Sequence, residues 1–141
     1  LLEYNVRFGD PDSQVVLLRC TSDLAALLAA AADGDLTSVP APTFADDAAV
    51  LVVAASEGYP VAPRTGDTIE GLDVARSVDG VTVLAAGVGA NADGGLVTAG
   101  GRVLNVVGRG ADPEEARRRA YESLAHISWP GLHHRTDIAD P

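Results

Sequence analysis

Methionine is absent from all 141 residues, although a natural translation product begins with one. Leu1 is therefore expected to be an internal position, either of a processed chain or of a fragment of something longer. Cysteine is nearly absent too. Cys20 is the single example, which excludes an internal disulfide and a zinc cage of several thiolates. It follows an apolar run and reads as a buried small hydrophobe, and a reducing cytosol fits it. Long hydrophobic runs are missing: neither residues 24–32 nor residues 48–55 are long enough to cross a bilayer, and 48–55 reads as a buried strand. Basic residues are scarce, 10 against 20 acidic, for a net charge of −10. That balance excludes a general binder of nucleic acid or anionic membrane, which runs on clustered cations. We find no secretory or lipidation signal, and a cytoplasmic location is expected.

What is present is a globular composition, 47% hydrophobic and 21% charged, long enough for one cored domain or for one domain plus part of another. In residues 1–10 apolar Leu2, Tyr4, Val6 and Phe8 alternate with polar Glu3, Asn5 and Arg7. A period of two is the strand signature, so the polar three should share one face at a spacing of roughly 7 Å. A carboxylate and an amide oxygen so placed can both reach one hard cation. Arg7, one step on, can neutralise a phosphate oxygen beside it. Mg²⁺ is usually held by one or two carboxylates plus nucleotide phosphates, so the strand reads as one wall of a metal–nucleotide site. From alternation alone, a strand with a solvated polar face fits as well.

Gly9-Asp10-Pro11 breaks the pattern, and Asp10 is expected to serve the turn rather than to orient Arg7. The stretch from Ser13 to Cys20 fits a helix or a buried strand. Thr21-Ser22-Asp23 supplies N-cap chemistry before a Leu/Ala helix that Gly34 stops, with Leu24, Leu27, Leu28 and Ala31 as its apolar face. The proline-containing stretch 37–43 reads as a linker, dividing the chain into residues 1–38 and 39–141. Short strand-like runs at 48–55, 68–69, 81–86, 96–98 and 102–107 then alternate with glycine turns, as in a small antiparallel β structure. Asp112-Pro113-Glu114-Glu115 opens one closing helix, with Ala116, Ala120, Leu124 and Ile127 on its inner side and Tyr121 beside them. Arg117-Arg118-Arg119 is expected to be mostly a solvated face paired with Glu114, Glu115 and Glu122. His126, His133 and His134 lack ligand-spaced partners and are assigned no metal. Gly94-Gly95 and Gly100-Gly101 sit outside any strand-to-helix phosphate motif and read as hairpin glycines. Ser56 and Ser123 carry no nucleophile pattern.

The unbroken string of residues 3–14, EYNVRFGDPDSQ, resembles the metal-binding strand and turn of ATP-grasp ligases, and within them the phosphoribosylamine–glycine ligase family. Asp12-Ser13 stands where that family more often has Glu-Thr. The similarity continues through Ser56-Glu57-Gly58-Tyr59-Pro60, residues 66–72, residues 96–104, the closing helix and Arg135-Thr136-Asp137-Ile138. Local departures are Glu57 in place of glycine, Ala139 in place of glycine, and His133-His134 in place of aromatics. The resemblance implies an α+β fold: the end of an ATP-grasp domain, strand plus helices, followed by a small antiparallel β domain with one closing helix. It favours a helix for residues 13–20. It implies an ATP-dependent ligase joining glycine to 5-phosphoribosylamine, with Mg²⁺ or Mn²⁺ on Glu3 and Asn5 and with Arg7 stabilising the phosphate or acyl phosphate. ATP, glycine, 5-phosphoribosylamine and the rest of the chain are the implied partners, and this segment alone is expected to be inactive. Another ATP-grasp carboxylate–amine ligase and a non-catalytic interaction module are the alternatives.

Overall fold

The computed structural model describes residues 6–140. The chain forms two compact units, divided between Asp47 and Ala48.

In the first unit, α1 (Asp12–Arg19) resolves the helix-or-strand choice, and α2 (Leu24–Asp33) follows. The Asp23 side chain accepts from the Ala26 N–H at 3.0 Å, satisfying one of the donors a helix start leaves over. Gly34, at φ 78°, ends α2 in the left-handed conformation that glycine adopts without penalty. The covered stripe differs from the expected one. Leu24 and Leu27 are half-buried and Ala30 is buried, whereas Leu28 (47% exposed) and Ala31 lie outside. A helix of leucine and alanine is apolar all round, so its own pattern cannot choose which stripe is covered. After a 3₁₀ turn at Leu36–Ser38, the chain returns to the start of the unit. Thr21 N–H donates to Thr43 O at 2.9 Å, and Ala45 N–H to Arg19 O at 2.8 Å. Thr43, the last residue of the proline-containing stretch, and Ala45 beyond it thus belong to this unit's hydrogen bonding.

The second unit is an antiparallel sheet in the order β1 (Ala48–Ala55), β5 (Arg102–Gly110), β2 (Val81–Ala85). Val106 pairs with Val52 on one side and Val83 on the other, placing the core at mid-sheet. Between β1 and β2 lies a five-residue helix, α3 (Leu72–Arg76), too short to leave a periodic signal in the sequence. The hairpin β3 (Val88–Ala90) and β4 (Leu96–Thr98) turns through Asn91, whose Oδ1 accepts from the Asp93 and Gly95 N–H groups at 3.0 and 2.7 Å. Of residues 68–69, expected as a strand, only Thr68 makes a bridge, to Val97, and the next bridge is that of Glu70 to Ser128.

The closing helix α4 (Pro113–Leu124) covers one face of the sheet. Asp112 caps it through the Glu115 N–H at 2.8 Å. Ala116, Ala120, Leu124 and Ile127 are all buried, as their spacing requires. Ala120, Leu124 and Ile127 pack with Val52, Ala54, Leu104 and Val106. Gly108 allows the close approach: a Cβ there would lie 2.2 Å from the Ala116 carbonyl oxygen and 2.6 Å from the Ala120 nitrogen. The sheet and helix therefore meet backbone to backbone, with alanine on one side and glycine on the other. The fold class is α+β, as expected.

Candidate functional site

The proposed metal ligands Glu3 and Asn5 lie outside the described residues. Arg7 is exposed at a bend, and Val6 and Phe8, apolar members of the alternation, are 92% and 59% exposed. Val6, Arg7 and Phe8 are not in a strand, because a strand needs a ladder partner and none pairs with them among the described residues. Arg7 borders a shallow concavity of about 210 Å³ with Phe8, Gly9, Asp12, Ser13, Val16 and Leu17. The turn beneath it is tied to the first turn of α1. Ser13 donates to the Gly9 carbonyl through its N–H at 2.9 Å and also through its hydroxyl. Gln14 Nε2 donates to Asp10 Oδ1 at 2.8 Å. Asp10 thus serves the turn.

The three stretches of the second half that carry the resemblance converge. Ser56 is buried, its N–H donating to Gly101 O and its hydroxyl to Gly100 O, both at 2.8 Å. The Tyr59 ring lies against Gly101, where a Cβ would come within 2.2 Å of the ring. Gly66 N–H donates to Thr98 O at 2.7 Å, and Asp67 N–H to Thr98 Oγ1 at 3.1 Å. Gly100 and Gly101 thus serve close packing of chain on chain. Arg64 knits this cluster, and its sequence position offers no periodic signal for that role. Its guanidinium pairs with Glu57, with Asp67 at 2.9 Å, and with the Pro130 carbonyl at 2.7 Å. The Asp67 hydrogen bond, with Glu57 adding to it, holds the Arg64 guanidinium above its ordinary pKa. Glu57, which departs from the family pattern, is thereby given an ion-pair role.

The arginine run divides by position. Arg118 is exposed and pairs with Glu122 at 2.7 Å, as its spacing suggests. Arg117 and Arg119 are not simply solvated. Arg117 donates to Ile138 O and Thr136 O at 2.9 and 2.8 Å, and stacks 4.8 Å above the Tyr121 ring. Arg119 donates to Arg109 O at 2.8 Å and pairs with Glu115 at 3.0 Å and Asp79 at 3.3 Å. Both fasten neighbouring segments to α4, a role only the folded chain reveals. His126 and His133 are exposed, and His134 tilts against Tyr121 at 5.9 Å. Among the described residues no group of three or more His, Cys, Asp or Glu side chains is placed to hold a metal. Cys20 is half-buried rather than buried, and Ser123 is buried and donates to Ala75 O at 2.9 Å. No described helix is long and apolar enough to cross a membrane.

A family model described as phosphoribosylglycinamide synthetase, C domain, matches residues 49–141, which is nearly the whole second unit. The chain belongs to this family. The resemblance also extends beyond the synthetase C domain into the first unit. A phosphoribosylamine–glycine ligase of Leifsonia xyli is 51% identical over 140 residues, covering 99% of this chain and 34% of that protein. The Streptomyces coelicolor ligase is 52% identical over 141 residues, and the chloroplastic Arabidopsis thaliana ligase 48% over 139. A crystal structure of phosphoribosylamine–glycine ligase from Thermotoga maritima matches with a TM-score of 0.81 at 38% identity, over 98% of this chain and 33% of that one. The chain therefore spans about a third of the length of the Leifsonia and Streptomyces relatives.

Proposed function

We propose that this chain is the C-terminal part of an ATP-dependent ligase that joins glycine to 5-phosphoribosylamine, an early step of purine synthesis. The observation that carries the reading is identity of about half to ligases of that name across nearly the whole chain. In the proposed reaction a glycine carboxylate oxygen attacks the γ-phosphorus of ATP, and the bond to the β-phosphate oxygen breaks to release ADP. The amine of 5-phosphoribosylamine then attacks the acyl carbon, expelling phosphate and losing a proton, to leave glycinamide ribonucleotide. Residues 1–38 would end the ATP-grasp domain and residues 39–141 form the C-terminal domain, in a cytoplasmic enzyme.

Glu3 and Asn5 are the proposed metal ligands: a carboxylate and an amide oxygen are the donor types that a hard cation takes. When bound, Mg²⁺ or Mn²⁺ would screen the phosphate charge. Arg7 supplies a fixed cation for charge developing on the transferring phosphoryl group, an interaction worth most in a site closed to water. The nucleotide base and most substrate contacts fall to the rest of the ligase, so the segment alone is inactive. In the full-length ligase, Glu3→Gln should lower turnover by orders of magnitude and weaken metal-dependent ATP binding, with the melting temperature held. Normal turnover and metal dependence in that variant would refute the assignment. Calorimetry of the full-length protein with Mg–ATP separates a catalytic chain from an interaction module, which would give no metal-dependent nucleotide binding.

A further inference from the structure

Arg7 can stabilise a transferring phosphoryl group only if its guanidinium is held in place, and the bonds just after it fix the backbone from which that side chain extends. The backbone leaves Arg7 through Phe8 into Gly9, whose carbonyl accepts both the Ser13 N–H, at 2.9 Å, and the Ser13 hydroxyl. One residue on, Asp10 Oδ1 accepts from Gln14 Nε2 at 2.8 Å. At Gly9 a Cβ would come within 2.9 Å of Asp12 Oδ2, so the turn and the helix start are in close contact as well. The residues immediately after Arg7 are thus tied to α1 at a carbonyl, a carboxylate and a close-packed glycine. Helix α1 is the regular element here, and sites supported by regular structure hold tighter geometry than sites on loops.

We propose that Gln14, assisted by Ser13, is a positioning residue for Arg7, acting through Asp10 and Gly9 to fix where the guanidinium stands. This rests on the reading of Arg7 as a phosphate-stabilising group. A misplacement of about 1 Å at such a group can cost on the order of 10²-fold in rate. Gln14 itself touches no reacting atom in this account. Its bond to Asp10 lies at the surface and contributes little to folding, so its effect should be on rate and not on melting.

The test is a double-mutant cycle in the full-length ligase, using Gln14→Glu, Arg7→Ala and the combination, with Mg–ATP, glycine and 5-phosphoribosylamine. Gln14→Glu keeps the shape of the side chain and removes its N–H donor, setting two carboxylates against each other. We expect kcat to fall about 10- to 100-fold, with KM for glycine within about threefold and an unchanged melting temperature. In the Arg7→Ala background the Gln14 substitution should cost nothing further, because the group it positions is gone. Should Gln14→Glu fail to fold, Ser13→Ala, which deletes the hydroxyl bond to Gly9 and keeps the peptide bond, takes its place in the cycle. A kcat within twofold of wild type for the Gln14 or Ser13 variant, beside a crippled Arg7→Ala, would overturn the positioning role and leave Arg7 standing. Losses that multiply in the double variant would likewise overturn it, since Gln14 would then act by another route. Full turnover in Arg7→Ala would instead overturn the reading of Arg7 and this inference with it.

Discussion

Gly108→Ala isolates the contact on which the second unit is built. The added Cβ would lie 2.2 Å from Ala116 O, 2.6 Å from Ala120 N and 3.1 Å from Ala120 Cβ. Unstrained heavy-atom contacts settle near 3.5 Å, and the first two obstructions are backbone, so no rotamer change relieves them. Helix α4 would have to lift off β5 by roughly 1 Å, a gap that forfeits about a quarter to a half of each dispersion contact along the layer. Leu104, Val106, Ala120 and Leu124 all lie in that layer. Overpacking of this kind typically costs about 1–3 kcal/mol, and we place this case at about 2–4 because backbone must move. Removing glycine from the unfolded chain offsets about 0.4–1 kcal/mol of that, leaving a net loss of about 1–3.6. For a unit of this size that amounts to a fall of at least about 4 °C in melting temperature. Trp129 is the chain's single tryptophan and is 6% exposed within this core, so its fluorescence reports melting of the second unit specifically. Gly34→Ala is the contrast: nothing lies within 4 Å of its added Cβ, but φ is +78°. That variant should carry only the left-handed backbone penalty of about 1–2 kcal/mol, felt in the first unit. A Gly108→Ala melt within 2 °C of wild type would refute the close-approach argument.

Two further expectations concern stability and charge. Asp112→Ala removes the α4 cap and should cost about 1 kcal/mol by urea titration followed through Trp129, while Asp112→Asn should recover most of it. The Arg135 hydrogen bond holds the Asp137 carboxyl below its ordinary value of 3.8. A group depressed in the fold adds stability above its unfolded pKa and loses it as pH falls through the folded value, so the loss occurs below pH 3.8. Titration of Asp137 by NMR should show its midpoint rise in Arg135→Ala, and an unmoved midpoint would remove the pair from the account.

The closing helix was legible because its signals are local. The Asp112 cap, the proline at the helix start and the 3–4 spacing of Ala116, Ala120, Leu124 and Ile127 require no knowledge of the rest of the chain. The same holds for the α2 stop at Gly34, whereas β3 (Val88–Ala90) lies where the sequence reads as a glycine turn, because three residues centred on a glycine carry no strand pattern. Residues 3–14 announced the family because a long contiguous string can be compared residue by residue. Residues 68–69 failed as a strand because one isolated bridge, at Thr68, does not make a ladder. The inner stripe of α2 was misjudged because an apolar helix leaves the choice to its neighbours.

From the sequence alone came the chemistry available: oxygen donors and a guanidinium at alternate positions, no thiolate cage, too few cations for nucleic acid, and the periodicities of its longer helices and strands. Those are properties of residue types and spacings, which a linear string carries whole. Tertiary structure alone decided that Arg117 and Arg119 bind carbonyls of distant segments, that Arg64 joins Glu57 to Asp67, and that Gln14 braces the turn after Arg7. Each of those depends on which direction a long, flexible side chain takes once its backbone is fixed, and spacing along the chain does not encode that.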